Sequence, residues 1–160
     1  MKENSMWADL SGLARAVRKN KSRDSLGGQL DDFTWHALAE SLQPLVTEYR
    51  QVVIKQGEKD RNLYFVESGM LRVYRSERDA RLQLAALGPG SVVGEGTFFA
   101  PIVRNASVEA VEASMLWELT PQRFEGMAER YPQAAYKVAM ALGAVLSVRM
   151  LSVAGRLAIT

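Results

Sequence analysis

Gly94-Glu95-Gly96-Thr97-Phe98-Phe99-Ala100-Pro101-Ile102-Val103-Arg104-Asn105-Ala106-Ser107 places an acid between two glycines at one end of a short apolar run and an arginine at the other. Fully extended, the chain from Glu95 to Arg104 would span roughly 30 Å. For both charges to meet one small ligand, the run must fold back. Residues 96–100 have room for one helical turn, and Pro101 opposes another. Gly94 and Gly96 permit unusual dihedrals and close backbone approach. The first amides of a helical turn have no internal partner, so they form a ready anion cradle. Arg104 would then offer a planar fork to a phosphate, and Glu95 an acceptor for a sugar hydroxyl. A ligand with one phosphate and a nearby free ribose hydroxyl suits these parts. The plainer alternative is a loop closed by an ordinary Glu95–Arg104 ion pair, which contributes little to stability.

Around this stretch the hydrophobic period is two. Strands are expected at residues 51–55, 63–66, 70–75, 82–87, 91–93, 107–111 and 115–119. Turn signals separate them at Gln56–Asp60, Ser68-Gly69, Ser76–Asp79 and Gly88-Pro89-Gly90. Short strands at such spacing predict a β-sandwich or jelly-roll barrel.

Helices are expected on both sides of the strands. Residues 6–17 carry Trp7, Leu10, Leu13, Ala14 and Val17 on one face, followed by the basic residues Arg15, Arg18, Lys19, Lys21 and Arg23. That pattern suits either a partner- or lipid-touching helix or one packed on its own domain with a solvated basic end. Ser22 to Gly28 reads as a loop. A second helix is expected from Asp32 to Leu42, capped by Asp31 or Asp32 and ended by Pro44, with Phe33, Leu38 and Leu42 inward. His36 on this helix is assigned a structural role. Thr120-Pro121 starts a further helix, and Pro132 interrupts it before a long last helix running towards Ala158. That helix has two apolar stripes. One is Ala139, Gly143, Leu146, Met150, Val153 and Leu157. The other is Ala135, Val138, Leu142 and Val145. Two stripes call for two partners: the strands on one side and, on the other, a second copy of the helix, unless a monomer buries both.

Composition narrows the function classes. The chain has 160 residues, 48% apolar and 24% charged, with a net charge of +2 and a pI near 9.0. One domain's core is expected, with 1–28 as a helical extension and linker and 29–160 as the main body. So small a charge excess argues weakly for nucleic acid. There is no cysteine and one histidine, which excludes thiolate and multi-histidine metal sites within one chain; no metal and no cofactor are expected. The charged N-terminus lacks a signal core, and no membrane span is expected. A cytoplasmic setting follows as the expectation.

Gly94-Glu95 and Arg104-Asn105-Ala106-Ser107-Val108 resemble the phosphate-binding cassette of the cyclic-nucleotide-binding domain family. That family includes regulatory subunits of cyclic-AMP-dependent kinase, nucleotide-gated channels and the bacterial catabolite activator group. The resemblance runs from about Gln51 to Met150. Val103 stands where many members have proline, and Asn105 where they have alanine, serine or threonine.

The resemblance implies an α+β fold: a jelly-roll-like β-roll (a double-stranded β-helix) flanked by N-terminal helices and a long C-terminal helix. It implies a cyclic nucleotide as ligand, with cyclic AMP expected and the choice against cyclic GMP left open by Asn105. Arg104 would hold the exocyclic phosphate oxygens and Glu95 the ribose 2′-hydroxyl. Gly94, Gly96, Thr97, Asn105 and Ala106 would complete the cassette, and Val73 and Leu84 would line the base pocket. Arg149 would cover the base, or else is a solvated helix charge.

The implied function is a stand-alone regulatory domain, not an enzyme. It would signal to a protein partner through its C-terminal helix, as a homodimer. The N-terminal segment shows no ligand contact in the sequence. Only ten residues follow Met150, so the helix-turn-helix of DNA-binding relatives is expected to be missing and direct nucleic-acid binding is not expected. A truncated Crp/Fnr-type transcription regulator and an interaction domain with an empty pocket are the alternatives.

Overall fold

The computed structural model describes residues 8–157. Helix α1 (Ser11–Lys19) and a 3-10 turn (Gly27–Gln29) precede α2 (Asp32–Ser41). Strands β1 (Gln43–Thr47), β2 (Val52–Ile54), β3 (Leu63–Ser68), β4 (Leu71–Glu77), β5 (Ala80–Leu87) and β6 (Val92–Val93) follow. A single helical turn, α3 (Glu95–Phe98), leads to β7 (Ser107–Ala110) and β8 (Ser114–Leu119). Then come α4 (Pro121–Arg130) and α5 (Pro132–Leu157). The strands form two four-stranded antiparallel sheets, ordered β1-β8-β3-β6 and β2-β7-β4-β5. The fold is the expected β-roll with N-terminal helices and a long C-terminal helix, with one strand, β1, beyond the seven expected.

Strand β3 shows how the sequence builds two cores. Alternate strand residues face opposite sides. Tyr64 and Val66 enter the core between the sheets, with Ile54, Leu71, Val108 and Leu116. Leu63 and Phe65 face the other way and pack with the helices, against Leu13, Val17, Leu38, Leu142 and Val145. A strand covered on both faces reads as a continuous apolar run, and Leu63-Tyr64-Phe65-Val66 is one.

Helix ends follow the expected chemistry. Asp31 caps α2 by accepting from the Thr34 amide, and Thr120 caps α4 by accepting from the Arg123 amide. Pro121 sits in the first turn of α4. Three sequence expectations need correction. Pro44 does end α2, but it also belongs to a strand: β1 lies at a sheet edge and pairs only with β8, the position where a missing N–H is tolerated. Phe33 is half-exposed rather than inward, its ring set edge-on to Tyr131. The loop at Ser22–Gly28 gives way at Gly27 to a one-turn 3-10 helix.

Leu10, Leu13, Ala14 and Val17 are buried as the α1 stripe requires; Trp7 lies outside the described residues. Arg15, Arg18, Lys19, Lys21 and Arg23 are exposed, so α1 is packed on its own domain with a solvated basic face. Two glycines let it seat closely. A Cβ on Gly90 would lie 2.4 Å from the Ala16 carbonyl oxygen, and one on Gly12 would lie 2.9 Å from the Glu67 carboxylate. That same carboxylate accepts a hydrogen bond from the Trp117 indole at 3.1 Å.

Of the two stripes on α5, Ala135, Val138, Leu142 and Val145 are buried in the helix-side core. On the other, Ala139, Gly143 and Leu146 are half-buried and Met150 is exposed; the side chains of Val153 and Leu157 lie outside the described residues. Tyr136, Met140 and Leu151 are also exposed. By length and composition Pro132–Ser152 could cross a bilayer, with mean hydropathy 1.4; here one face of it packs on α2 and α4.

Candidate functional site

Strand β6 ends at Val93, and Gly94 turns the chain with φ +92° into α3. The helical turn begins at Glu95 and ends at Phe98, slightly earlier than expected. No other residue type suits position 94. A Cβ there would lie 2.6 Å from the Asn62 carbonyl oxygen and 3.0 Å from Arg104 Nη1, in a φ region that favours glycine. Gly96 is different: nothing lies within 4 Å of where its Cβ would be.

Arg104 is buried, its side chain 3% exposed. Its Nε donates to Asp60 Oδ2 at 3.2 Å and its Nη2 to Asp60 Oδ1 at 2.6 Å. Nη2 also donates to the Asn62 carbonyl at 2.6 Å, and Nη1 to the Gly94 carbonyl at 3.1 Å. A guanidinium has five N–H donors. These four bonds leave one, on Nη1, without an acceptor among the described residues. The two-pronged face expected for a phosphate is thus turned to Asp60, and the free donor is a single prong. Burial pushes the Asp60 carboxyl up, but the hydrogen bond and charge of Arg104 together outweigh it and hold it below the usual carboxylate range. Arg61, between Asp60 and Asn62, donates from Nε to the Thr97 carbonyl at 3.0 Å and from Nη2 to the Phe98 carbonyl at 2.7 Å. Three consecutive residues therefore clamp the cassette at both ends: Asp60 and Asn62 hold its arginine, and Arg61 satisfies the open carbonyls of its helical turn.

Gly94, Glu95, Gly96, Thr97, Arg104, Asn105 and Ala106 all line one cavity of about 260 Å³, with Val73 and Leu146 on its apolar side. A larger cavity of about 410 Å³ shares Val73, Val93 and Glu95 with it and continues to Ala85, Leu87, Val148, Arg149 and Ser152. Glu95 therefore stands between a small polar compartment and a larger, more apolar one.

Arg149 reaches this junction from α5. Its Nη1 pairs with Glu95 Oε1 at 2.6 Å. Its Nε donates to Asp24 Oδ2 and its Nη2 to the Val92 carbonyl, each at 2.9 Å. Burial opposes its charge, but Glu95 and Asp24 outweigh that and raise its pKa further. Arg149 is accordingly not a solvated helix charge. Glu95 and Arg104 do not form the loop-closing pair weighed above, since each has another partner.

Leu84 is the one expected site residue that lies apart. The β4–β5 ladder pairs Val73 with Ala85 and Tyr74 with Gln83, leaving Leu84 as an extra residue in a bulge. A bulge shifts the alternation by one, so Ala85 and Leu87 face the cavity while Leu84 is exposed.

Sequence reading also missed Asp60, Asn62, Arg23 and Asp24. Asp60 carried only a turn signal, Arg23 only the end of a basic run, and Asp24 only a place in the Ser22–Gly28 loop. The structure places Arg23 and Asp24 in the wall of the larger cavity, so the N-terminal segment does touch the site. Among the described residues no group of three or more His, Cys, Asp or Glu side chains is arranged to hold a metal ion.

Known proteins resemble this chain in sequence and fold. The chain is 31% identical over 117 residues to the cyclic AMP receptor protein of Thermus thermophilus, covering 68% of this chain and 54% of that protein. It is 30% identical over 104 residues to a cAMP-dependent protein kinase regulatory subunit of Yarrowia lipolytica, covering 65% of this chain and 27% of that one. It thus spans between about a quarter and a half of these relatives. A solved cyclic nucleotide-binding domain from Methylobacillus flagellatus superposes with a TM-score of 0.77 at 18% identity, over 91% of this chain and 80% of that one; that likeness is one of fold. The family model for the cyclic nucleotide-binding domain matches residues 47–131, from β1 to the residue after α4. By that match, which covers more than half of the chain and includes the whole cassette, this protein belongs to the cyclic nucleotide-binding domain family.

Proposed function

We propose that the chain is a cyclic AMP-binding regulatory domain that passes ligand occupancy to a protein partner through α5. One observation carries the reading. A buried arginine with one donor still free faces a glycine-lined cradle, and an acid joins that cradle to a larger apolar pocket. The phosphate would sit against Arg104 Nη1 and the amides of Gly96 and Ala106. The ribose 2′-hydroxyl would meet Glu95, and the base would enter the cavity walled by Val73, Ala85 and Leu87. Asn105 would add a phosphate or base contact. Arg149, on α5, ties the ligand site to that helix, so a nucleotide with different contacts in two helix placements shifts their populations.

The names of the relatives support cyclic AMP over cyclic GMP. Isothermal titration with both nucleotides tests this: tighter binding of cyclic AMP is expected, and binding of neither would leave an interaction domain with an empty pocket. No catalysis is assigned, and incubation should return the nucleotide unchanged. A cytoplasmic setting fits such a ligand.

Homodimerisation through the exposed apolar side of α5, at Tyr136, Met140 and Met150, completes the reading. Light scattering should show a dimer that Met140→Glu reduces to a monomer; a monomeric parent protein at high concentration would remove this part. A second reading is the ligand-sensing part of a Crp/Fnr-type regulator, favoured by the match to about half of the Thermus protein. Direct nucleic-acid binding is not part of the proposal for the chain as given.

A further inference from the structure

Asp24 belongs to the segment between α1 and α2, yet it touches a side chain 125 positions away. Its Oδ2 accepts from Arg149 Nε at 2.9 Å, and the neighbouring guanidinium nitrogen Nη1 lies 2.6 Å from Glu95 Oε1. The Val92 carbonyl takes Nη2. The guanidinium is therefore fixed at all three nitrogens, and its plane determines which Glu95 oxygen it occupies. The Glu95 side chain is 14% exposed, and Oε1 is taken. Oε2 is the oxygen left to accept from a ligand hydroxyl.

We infer that Asp24 is a positioning residue for ribose recognition: by anchoring Arg149 it holds Glu95 with one oxygen free for the 2′-hydroxyl. The inference rests on the cyclic nucleotide reading above. It gives the N-terminal segment a part in ligand selection, through a residue the family's cassette does not contain. Asp24 needs no contact with the ligand to do this. Freed from Asp24, Arg149 can swing and take both Glu95 oxygens in the side-by-side geometry that guanidinium and carboxylate favour. The acceptor is then lost although Glu95 is still present. Removing Asp24 also removes a negative charge near an anionic ligand, which alone would tighten binding of any cyclic nucleotide. Affinity for one ligand therefore mixes two effects, whereas a ratio between two ligands of equal charge separates them.

The test compares cyclic AMP with 2′-deoxy-cyclic AMP, which differ only in the hydroxyl that Glu95 would accept. The parent protein should prefer the ribose form by about tenfold or more, as expected for a charge-assisted hydrogen bond. Asp24→Asn should reduce that preference severalfold with little change in melting temperature. Because the loss comes from Arg149 covering both oxygens, adding Arg149→Gln to Asp24→Asn should restore part of the preference, and a double variant as poor as Asp24→Asn alone would overturn this mechanism. Asp24→Glu, which keeps the carboxylate, should restore part of the preference. An unchanged ratio in Asp24→Asn, in a protein that still binds cyclic AMP, overturns the inference alone. Failure of the parent protein to bind either nucleotide overturns the functional reading and this inference with it.

Discussion

The two arginines of the site are held in different ways. Arg104 is anchored by its near neighbours in the roll: Asp60 and two main-chain carbonyls, with its side chain 3% exposed. Arg149 is anchored by two carboxylates from distant segments and one carbonyl, with its side chain 22% exposed. The first arginine sits where strands and a clamped turn leave it little alternative. The second joins α5, the cassette and the N-terminal segment, and any movement among these three must break one of its bonds. The end proposed to hold the phosphate is thus pre-formed, which would lower the cost of ordering on binding. On the proposed function, the α5 end is where binding would be converted into movement.

Replacing each anchor should expose this difference. Arg104→Ala has the largest expected effect. It removes the cradle's one buried cation and leaves Asp60 without its partner. Titration should show a loss on the order of 2–5 kcal/mol in nucleotide binding. Undiminished affinity would refute the placement of the phosphate.

Next come the glycines at either end of Glu95. Gly94→Ala forces a side chain into a left-handed φ and onto the Asn62 carbonyl, and should lower stability by at least about 1–3 kcal/mol, visible as a fall in melting temperature. Gly96→Ala meets no protein atom and should melt with the parent protein. Its methyl would, however, crowd the cradle and weaken nucleotide binding by about 1–3 kcal/mol. If both variants lose stability equally, the cradle beside Gly96 is not open space.

The pH dependence should be smaller. Asp60 has a lowered carboxyl pKa in the folded protein, so its contribution is present above the unfolded value of about 3.9 and is lost as pH falls through the lower folded value. The difference in urea midpoint between the parent protein and Asp60→Asn should be full at pH 7 and shrink on acidification below about pH 4. A difference that grows towards acid would contradict the pairing with Arg104. Smallest of all should be the change in exchange. On nucleotide addition, amide exchange should slow in residues 143–157, and less so in residues 11–19, which do not line the cavities of the site. Protection of α1 with none in α5 would reverse the roles of the two helices.

What was readable in the sequence was what local chemistry determines. Thr120-Pro121 names a helix start by itself, and Leu63-Tyr64-Phe65-Val66 names a strand, though not that it is covered on both faces. The cassette was visible because glycine, acid and arginine lie within a dozen residues. A role for Arg149 at the site could be proposed only through the family resemblance. The residues that hold these groups were not readable. Asp60 lies 44 positions from Arg104 and Asp24 lies 125 from Arg149, and neither belongs to a periodic pattern. Leu84 failed for another reason: a one-residue bulge leaves no mark in hydrophobicity, yet it reverses which side chains face inward. Pro44 misled because proline reads as a break until the strand is known to lie at an edge.

The contact between Gly12 and Glu67 has an optical consequence. Glu67 receives the indole proton of Trp117, and the same carboxylate is roofed by α1 where glycine leaves room for it. Trp117 is itself nearly buried, so its emission depends on whether that carboxylate stays dry and in place. Lifting α1 would admit water to Glu67 and shift the fluorescence of Trp117 to the red. Trp35 on α2 also borders α1, so with both Trp7 and Trp35 replaced by phenylalanine the protein would carry its own gauge of whether the N-terminal helix is seated, readable without a label during a nucleotide titration.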